Sequence, residues 1–186
     1  MCGIVGISSF VQELAFDQNK IEKMCRLLSH RGPDDEGIQI YQNTALGHRR
    51  LSIIDLKNGH QPLRYQYNEK EYCIVYNGEL YNMKEIKEDL VQRGYPFQTS
   101  SDTEVILVAY LEYGYQCVQH FEGIFSFVIY SDQELFGARD HLGVKPLFYS
   151  CYKDHFVFAS EIKALLFEKQ RAIVDQIGLL ELLGLG

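Results

Sequence analysis

Hydrophobic and polar positions along the chain follow two periods, which predict a mixture of strands and helices. The β-branched, glycine-punctuated run Cys2–Ile7 predicts a buried strand that begins directly after Met1. Apolar residues recur with helical spacing from Ile21 to Leu28, so a helix is expected over 17–30 with Asp17 as its N-cap. Extended segments are expected at 37–41, 45–54 and 72–76.

Two later segments carry the signature of a helix start. Asn82 with Glu85, and Ser101 with Glu104, each resemble a capping box, and a glycine follows each predicted helix. Four closely spaced strands and one short helix are expected after them, at 123–130, 134–138, 147–152, 156–159 and 161–167. Short connections favour antiparallel pairing, so the order of elements predicts an α+β fold with antiparallel sheets between helices.

The net charge of the chain limits the kinds of molecule that it is expected to bind. The 186 residues carry 18 Lys and Arg against 25 Asp and Glu, a net charge of −7. This acidic balance argues against binding to nucleic acid or to an anionic membrane surface. The chain has neither an apolar run of about 18–20 residues nor the pattern of a signal peptide. One soluble, cytoplasmic domain over 1–186 is therefore expected.

The cysteines and acidic residues favour neither a disulfide framework nor a metal site. The five cysteines are widely spaced and form no C-x-x-C pair, which fits a reducing compartment. His30 lies near Asp34 and Asp35, but this spacing matches no standard ligand set, so no metal is predicted. Motifs for nucleotide phosphates are also lacking, so no cofactor is expected for this domain.

Cys2 is the candidate nucleophile. A small side chain at this position permits removal of Met1, which leaves a cysteine with a free α-amino group. The reference pKa values, about 7.7–8.0 for the amine and about 8.5 for the thiol, allow the amine to accept the thiol proton near neutral pH. The alternative is an incidental second residue, which position alone does not exclude.

Asn77-Gly78 is the candidate oxyanion hole. A side-chain amide and the backbone N–H that follows it can point at one developing negative charge. The same dipeptide is also typical of a two-residue hairpin turn. The segment after it is a poor strand that leads into a helix start, so a plain hairpin fits badly.

Charged residues at two further positions could hold an amino acid. Arg49 and Arg50 lie in an otherwise apolar segment, and a guanidinium fork can grip a carboxylate, although a surface ion pair is the simpler interpretation. Asp102 lies at a predicted helix start, where it can either complement the helix dipole or bind a substrate ammonium group.

Taken together, these segments resemble the class II glutamine amidotransferase domain, an N-terminal nucleophile hydrolase, and in particular the domain that begins glutamine-dependent asparagine synthetases. The matching segments are MCGIVG (1–6), HRGPDDEG (30–37), LGHRRLSIIDL (46–56), GHQPL (59–63), YNGELYN (76–82), SDTEVIL (101–107), FEGIFSFVIYS (121–131), ARDHLGVKPLFY (138–149) and ASEIKAL (159–165). They follow one another over nearly the whole chain.

The resemblance implies a four-layer αββα sandwich and a function. Cys2, freed of Met1, would attack the side-chain amide of L-glutamine, release ammonia and form a thioester that water hydrolyses. Asn77 and Gly78 would form the oxyanion hole. Arg50 would bind the substrate α-carboxylate and Asp102 its α-amino group. The remaining positions that match the glutamine pocket are Ile53, Ile54 and Glu79.

The resemblance also implies partners outside this chain. The family's C-terminal synthetase domain uses ATP and Mg²⁺ to convert aspartate to asparagine, and its Ser-Gly-Gly-x-Asp-Ser loop is absent here. The chain is thus expected to be the N-terminal fragment of a longer synthetase. Two alternatives stay open: the same glutaminase feeding a different synthetase or transferase, and a non-catalytic interaction domain. The sequence leaves the oligomeric state open, a homodimer included.

Overall fold

The structure is a computed structural model that describes residues 1–11, 18–52, 59–131, 134–166 and 175–185. Its strands are β1 Gly3–Ser9, β2 Asp35–Ile40, β3 Thr44–Arg50, β4 Leu63–Tyr67, β5 Lys70–Leu80, β6 Gly123–Ser131, β7 Glu134–Arg139, β8 Phe148–Cys151 and β9 His155–Ala159. Its α-helices are α1 Gln18–Leu27, α2 Met83–Gln92, α3 Asp102–Tyr113, α4 Ile162–Leu166 and α5 Gln176–Leu185, and a 3-10 helix spans Gly114–His120.

The strands form two antiparallel sheets. The first has the order β2-β3-β1-β9-β8, and the second has the order β4-β5-β6-β7. The central strand β1 pairs with β3 on one side and with β9 on the other. It is buried along its whole length, which explains why its sequence is almost entirely apolar or glycine.

Three apolar clusters separate four layers. One cluster joins α1 and α4 to the outer face of the first sheet, and another joins α2, α3 and the 3-10 helix to the outer face of the second. The third lies between the sheets and contains Ile4, Leu46, Cys73, Val75, Val128, Tyr130 and Phe158. The predicted αββα sandwich is therefore confirmed, and with it the α+β class.

Several predicted boundaries were wrong. The strand expected over 45–54 ends at Arg50, and the strand expected over 72–76 extends to Leu80. The strand β4 was not predicted, although it shows an alternating pattern and joins β5 through Asn68 and Glu69, both with positive φ. Asp17, the expected N-cap, lies outside the described residues.

One of the two predicted capping boxes was wrong. The Asn82 side chain makes no cap hydrogen bond to α2. Its amide instead donates to the carbonyl of His120 at 2.9 Å and accepts from the N–H of Glu122 at 3.0 Å. Ser101 does cap α3, because its hydroxyl accepts from the N–H of Glu104 at 3.3 Å.

Residues 178–185 form most of α5. The apolar side chains of this helix that the structure describes are exposed: Ile177, Leu179, Leu180, Leu182 and Leu183. Within the described ranges, no helix has the length and apolar character needed to cross a bilayer.

Candidate active site

Cys2 lies at the entrance to the central strand of the first sheet. It directly precedes β1, and its thiol is partly buried, with Sγ 3.8 Å from the carbonyl oxygen of Leu51. The Cys2 carbonyl accepts a hydrogen bond from Arg31 Nε at 3.0 Å, and Arg31 is paired in turn with Glu161 at 3.1 Å. The backbone at position 2 is thus anchored, and Cys2 as a whole is neither fully buried nor fully exposed.

Asn77 and Gly78 lie inside β5, where they pair with Ser126 and Phe125 of β6. The hairpin-turn interpretation of this dipeptide is therefore wrong, and so is the prediction that it ends a strand. Asn77 is 2% exposed, yet its Nδ2 has no hydrogen-bond partner among the described residues. A buried amide N–H without an acceptor costs about 1–3 kcal/mol, so its retention calls for a functional explanation.

Gly78 is required by close packing. A Cβ atom at this position would come within 2.5 Å of the Ile124 carbonyl oxygen and 2.8 Å of the Tyr76 ring. These distances are shorter than real Cβ contacts, so any side chain would displace β5 from β6. Glycine therefore keeps the N–H of residue 78 and the Asn77 amide in one fixed arrangement.

On the edge of β5 away from β6, no described strand pairs with these residues. The last pair between β4 and β5 is Leu63 with Ile74, so no described part of β4 pairs with β5 beyond it. Side chains replace the missing strand at Tyr76: Gln61 Oε1 accepts from its N–H at 2.7 Å, and His48 Nε2 lies 3.2 Å from its carbonyl oxygen. The backbone before Asn77 is thereby held on the edge of β5 that faces away from β6.

His48 is held neutral by its position between the two sheets. Burial lowers the pKa of His48 to about 3, even though the neighbouring Tyr76 carbonyl raises it. A carbonyl oxygen accepts only, so the neutral ring donates from Nε2. No role was predicted for His48 from the sequence, so its role as a link between the sheets was missed.

The structure separates the two arginines that the sequence left as alternatives. Arg49 donates to the carbonyl of Gly32 at 2.9 Å and to Glu36 at 2.6 Å, so the ion-pair interpretation holds for Arg49. Arg50 ends β3 and is 8% exposed. It directly precedes Leu51, whose carbonyl contacts the Cys2 thiol. The buried arginine thus lies one residue before the carbonyl group that the Cys2 thiol contacts.

Asp102 is the first residue of α3 and is partly buried. Its Oδ2 accepts a hydrogen bond from the Tyr76 hydroxyl at 2.8 Å. Burial raises the pKa of the Asp102 carboxyl above its usual value, although the Tyr76 hydroxyl and the N–H groups of Leu80 and Thr103 lower it. The loop before α3 is fixed by Glu104, which accepts from the N–H groups of Gln98 and Thr99 at 2.8 and 2.6 Å.

Tyr76 contacts the candidate ammonium-binding carboxylate, since its hydroxyl donates to Asp102. Burial raises the pKa of Tyr76 well above its usual value, and the negative charges of Asp102, Glu79 and, least, Cys2 raise it further. Glu79 itself is exposed, at the rim of the site.

The remaining predicted positions fall outside this cluster or outside the described residues. Ile53 and Ile54 lie within 53–58, which the structure does not describe. His30, Asp34 and Asp35 bind three different partners, namely Glu161, the N–H of Ser52 and His60. Among described residues, no group of three or more His, Cys, Asp or Glu side chains could hold a metal ion.

The combination of two facing antiparallel sheets with a cysteine at the start of the central strand is similar to that of N-terminal nucleophile amidotransferases. Two solved structures share this fold. A phosphoribosylpyrophosphate amidotransferase from B. subtilis has a TM-score of 0.73 at 26% identity, over 88% of this chain and 43% of its own. An allosteric regulatory enzyme of purine biosynthesis has a TM-score of 0.75 at 25% identity, over 89% of this chain and 43% of its own.

The chain belongs to the glutamine amidotransferase domain family, whose model matches residues 1–185. Asparagine synthetase [glutamine-hydrolyzing] 3 of Bacillus subtilis is 43% identical over 100% of this chain and 31% of its own length. Asparagine synthetase B of Escherichia coli is 40% identical over 89% of this chain and 30% of its own. The chain thus spans about a third of the length of these curated relatives.

Proposed function

We propose that this domain hydrolyses the side-chain amide of L-glutamine with Cys2 as the nucleophile. The observation that carries the proposal is the buried Asn77 Nδ2, which has no acceptor among the described residues and lies next to the glycine N–H of residue 78. A donor held in this way costs stability in the resting protein and is available to a negative oxygen that forms during the reaction. Family membership supports the same chemistry.

The proposed reaction begins after removal of Met1. The free α-amine of Cys2 takes the thiol proton, and the sulfur attacks the amide carbon, forming a carbon–sulfur bond and a tetrahedral oxyanion. Asn77 Nδ2–H and the Gly78 N–H donate to that oxyanion. The carbon–nitrogen bond then breaks, the amine returns its proton to the leaving nitrogen, and ammonia departs.

The second half of the reaction regenerates the enzyme. Water, activated by the same amine, attacks the γ-glutamyl thioester, and the carbon–sulfur bond breaks to give glutamate and the free thiol. The Arg50 guanidinium would hold the substrate α-carboxylate and Asp102 its α-ammonium group, so that one cation and one anion grip a zwitterion. Ile53, Ile54 and Glu79 would complete the glutamine pocket.

Ammonia release from glutamine tests this proposal. The wild-type protein with Met1 removed should release equal amounts of ammonia and glutamate, and Cys2→Ala should abolish both. Cys151→Ala is the matched control, since Cys151 is an exposed thiol on β8 and its loss should leave the rate unchanged. Glutamine hydrolysis by Cys2→Ala at the wild-type rate would refute the proposal.

A second substitution tests the oxyanion donor. Asn77→Ala should lower kcat by on the order of 10²–10³-fold, because it removes a donor needed only in the transition state, while the fold is retained. Ser126→Ala is the control. Its hydroxyl is also buried without a partner among the described residues, and Ser126 pairs with Asn77 in the sheet. Equal losses in the two variants would show that Asn77 acts through packing.

We further propose that residues 1–186 form the glutaminase unit of a longer synthetase, which uses ATP and Mg²⁺ to convert aspartate and the released ammonia to asparagine. The names of the relatives and their length support this acceptor, and their 40–43% identity exceeds the 25–26% identity to the purine-pathway structures. In the full-length protein, amide-¹⁵N glutamine should yield ¹⁵N asparagine. Label found only in free ammonia would contradict this assignment. A homodimer and a cytoplasmic location stay predictions.

A further inference from the structure

Tyr76 is fixed at both its backbone and its side chain, and the glutaminase chemistry itself does not use it. It is 3% exposed, and its backbone N–H and carbonyl are bound by the side chains of Gln61 and His48. Gln61 Nε2 also donates to Thr103 Oγ1 at 3.3 Å, so one side chain ties β5 to the start of α3. The result is a rigid connection between Tyr76 and the helix turn that carries Asp102.

The Tyr76 hydroxyl reaches Asp102 in a geometry suited to a charged acceptor. Its oxygen lies 2.8 Å from Asp102 Oδ2, within the range of a good hydrogen bond. The other donors to this carboxylate are backbone N–H groups, including those of Leu80 and Thr103. The charged groups that face the pair are Glu79 on β5 and Cys2 before β1, both negative when ionised.

Asp102 needs this support because its surroundings disfavour its charge. Burial raises the pKa of the carboxyl, and the Tyr76 hydrogen bond opposes that effect by stabilising the ionised form. A protonated carboxyl cannot pair with an ammonium ion. The Tyr76 hydroxyl therefore favours the ionised form of Asp102, and this is the form that can bind the α-ammonium group of an amino acid.

We propose that Tyr76 is a positioning residue for the substrate's α-ammonium group, and that its hydroxyl holds the Asp102 carboxylate oriented and charged for that contact. The inference rests on the proposed function and goes beyond it, because it names a residue that determines selectivity for an α-amino acid over an amide without an α-amine. Tyr76 touches Asp102 and does not take part in the attack by Cys2.

Tyr76→Phe is the direct test, with L-glutamine and 4-carbamoylbutanoate, which lacks the α-amine, as substrates. Removing the hydroxyl should raise the KM for glutamine by on the order of tenfold, with kcat near the wild-type value. The preference for glutamine over 4-carbamoylbutanoate should fall by a similar factor. The acidic limb of the pH profile for glutamine binding, measured as Kd in a Cys2→Ala background where the amine has no catalytic part, should move to higher pH, because Asp102 then protonates more readily.

Tyr65→Phe is the matched control. Tyr65 is also 3% exposed and belongs to the same apolar cluster, but its hydroxyl donates to the Pro96 carbonyl at 2.8 Å. Loss of a buried hydroxyl at this position should leave the KM, the substrate preference and the acidic limb unchanged. A purely structural role for Tyr76 predicts that the two variants behave alike, and this outcome would overturn the inference.

A double-mutant cycle tests the positioning role of Tyr76 separately from the proposed glutaminase function. In the Asp102→Asn background, Tyr76→Phe should cause no further rise in KM, and an additive rise would overturn the positioning role. Should Tyr76→Phe unfold under assay conditions, 3-fluorotyrosine at position 76 keeps the ring and provides a stronger donor. It should move the acidic limb to lower pH, and an unmoved limb refutes the role. Absence of hydrolysis by the wild-type protein without Met1 would instead refute the proposed function.

Discussion

Two buried regions of this domain each contain an aspartate. The hydrogen-bond donors around the two carboxylates differ, and the difference indicates that one aspartate stabilises the fold and the other is suited to binding. Asp140, in the turn after β7, is 5% exposed and accepts from the N–H groups of Phe125, Val144 and Lys145 at 3.2, 2.9 and 2.9 Å. Burial raises the pKa of Asp140, but these donors outweigh it, and the net pKa is lowered. The carboxylate of the turn is satisfied internally.

At Asp102, burial and hydrogen bonding have the opposite net effect on the pKa of the carboxyl. Burial outweighs the hydrogen bond from Tyr76 and the backbone donors, and the net pKa of Asp102 is raised. A carboxylate that is buried beyond what its donors offset costs stability, and it gains most from a cation brought by a ligand. The comparison indicates that Asp140 fixes a loop, whereas the surroundings of Asp102 are suited to binding a cation.

The largest effect is expected from Asp102→Asn. It removes the charge that pairs with the α-ammonium group, so kcat/KM for glutamine should fall by on the order of 10²-fold or more, mainly through KM. Thermal stability should change little, since the amide still accepts from the Tyr76 hydroxyl. Steady-state kinetics and a thermal melt measure both. A large loss of stability with an unchanged KM would show that Asp102, like Asp140, has a structural role.

Asp140→Asn should give the reverse pattern. One acceptor is lost and the charge that three backbone donors stabilise is removed, so the free energy of unfolding should fall by on the order of 2 kcal/mol. The KM for glutamine of the folded protein should stay near the wild-type value. Urea unfolding combined with kinetics checks the prediction. A stable Asp140→Asn protein with impaired glutamine binding would contradict it.

A smaller effect distinguishes helix capping from substrate binding. Ser101 supplies the cap of α3, so Ser101→Ala should lower the free energy of unfolding by about 1 kcal/mol. Asp102→Asn should cost less than this, because a charge at a helix start contributes only about 0.3–1 kcal/mol and burial opposes the charge of Asp102. The reverse ranking, measured by urea unfolding of both variants, would favour helix-dipole stabilisation as the main role of Asp102.

The smallest effect concerns pH. The folded pKa of Asp102 is raised, so its contribution to stability falls as pH rises above 3.8 through the folded value. The folded pKa of Asp140 is lowered, so its contribution is present above 3.8 and is lost as pH falls. Relative to wild type, Asp102→Asn should gain stability as pH rises above 3.8, and Asp140→Asn should lose stability over the same rise. Parallel slopes in urea unfolding would contradict these opposite signs.

The sequence predicted most elements because periodicity is local. Strand β1, helix α1 and the hairpin of β6 and β7 follow from apolar spacing and short connections. Arg49 and Arg50 show the limit of such patterns. Adjacent strand residues point to opposite faces, but only the placement of the sheet shows that the second arginine is the buried one.

The contacts around Tyr76 could not be predicted because they are not local. Its partners His48, Gln61 and Asp102 are 28, 15 and 26 residues away in sequence, and the sheets bring them together. Asn82 fits a capping pattern, but its amide binds backbone groups about 40 residues away in the folded chain. Side chains that bind the backbone at a strand edge, or backbone groups far away in sequence, leave no recognisable spacing pattern in the sequence.

In the proposed mechanism, the α-amine and the thiol of Cys2 together perform the chemistry. Comparing glutamine hydrolysis before and after the N-terminus is freed tests this most directly. A fusion protein with a protease site directly before Cys2 provides both forms of one sample, and intact mass gives the fraction that begins with Cys2. The glutaminase rate should rise in proportion to that fraction from a negligible value. An uncleaved protein that hydrolyses glutamine as fast as the cleaved one would contradict the account.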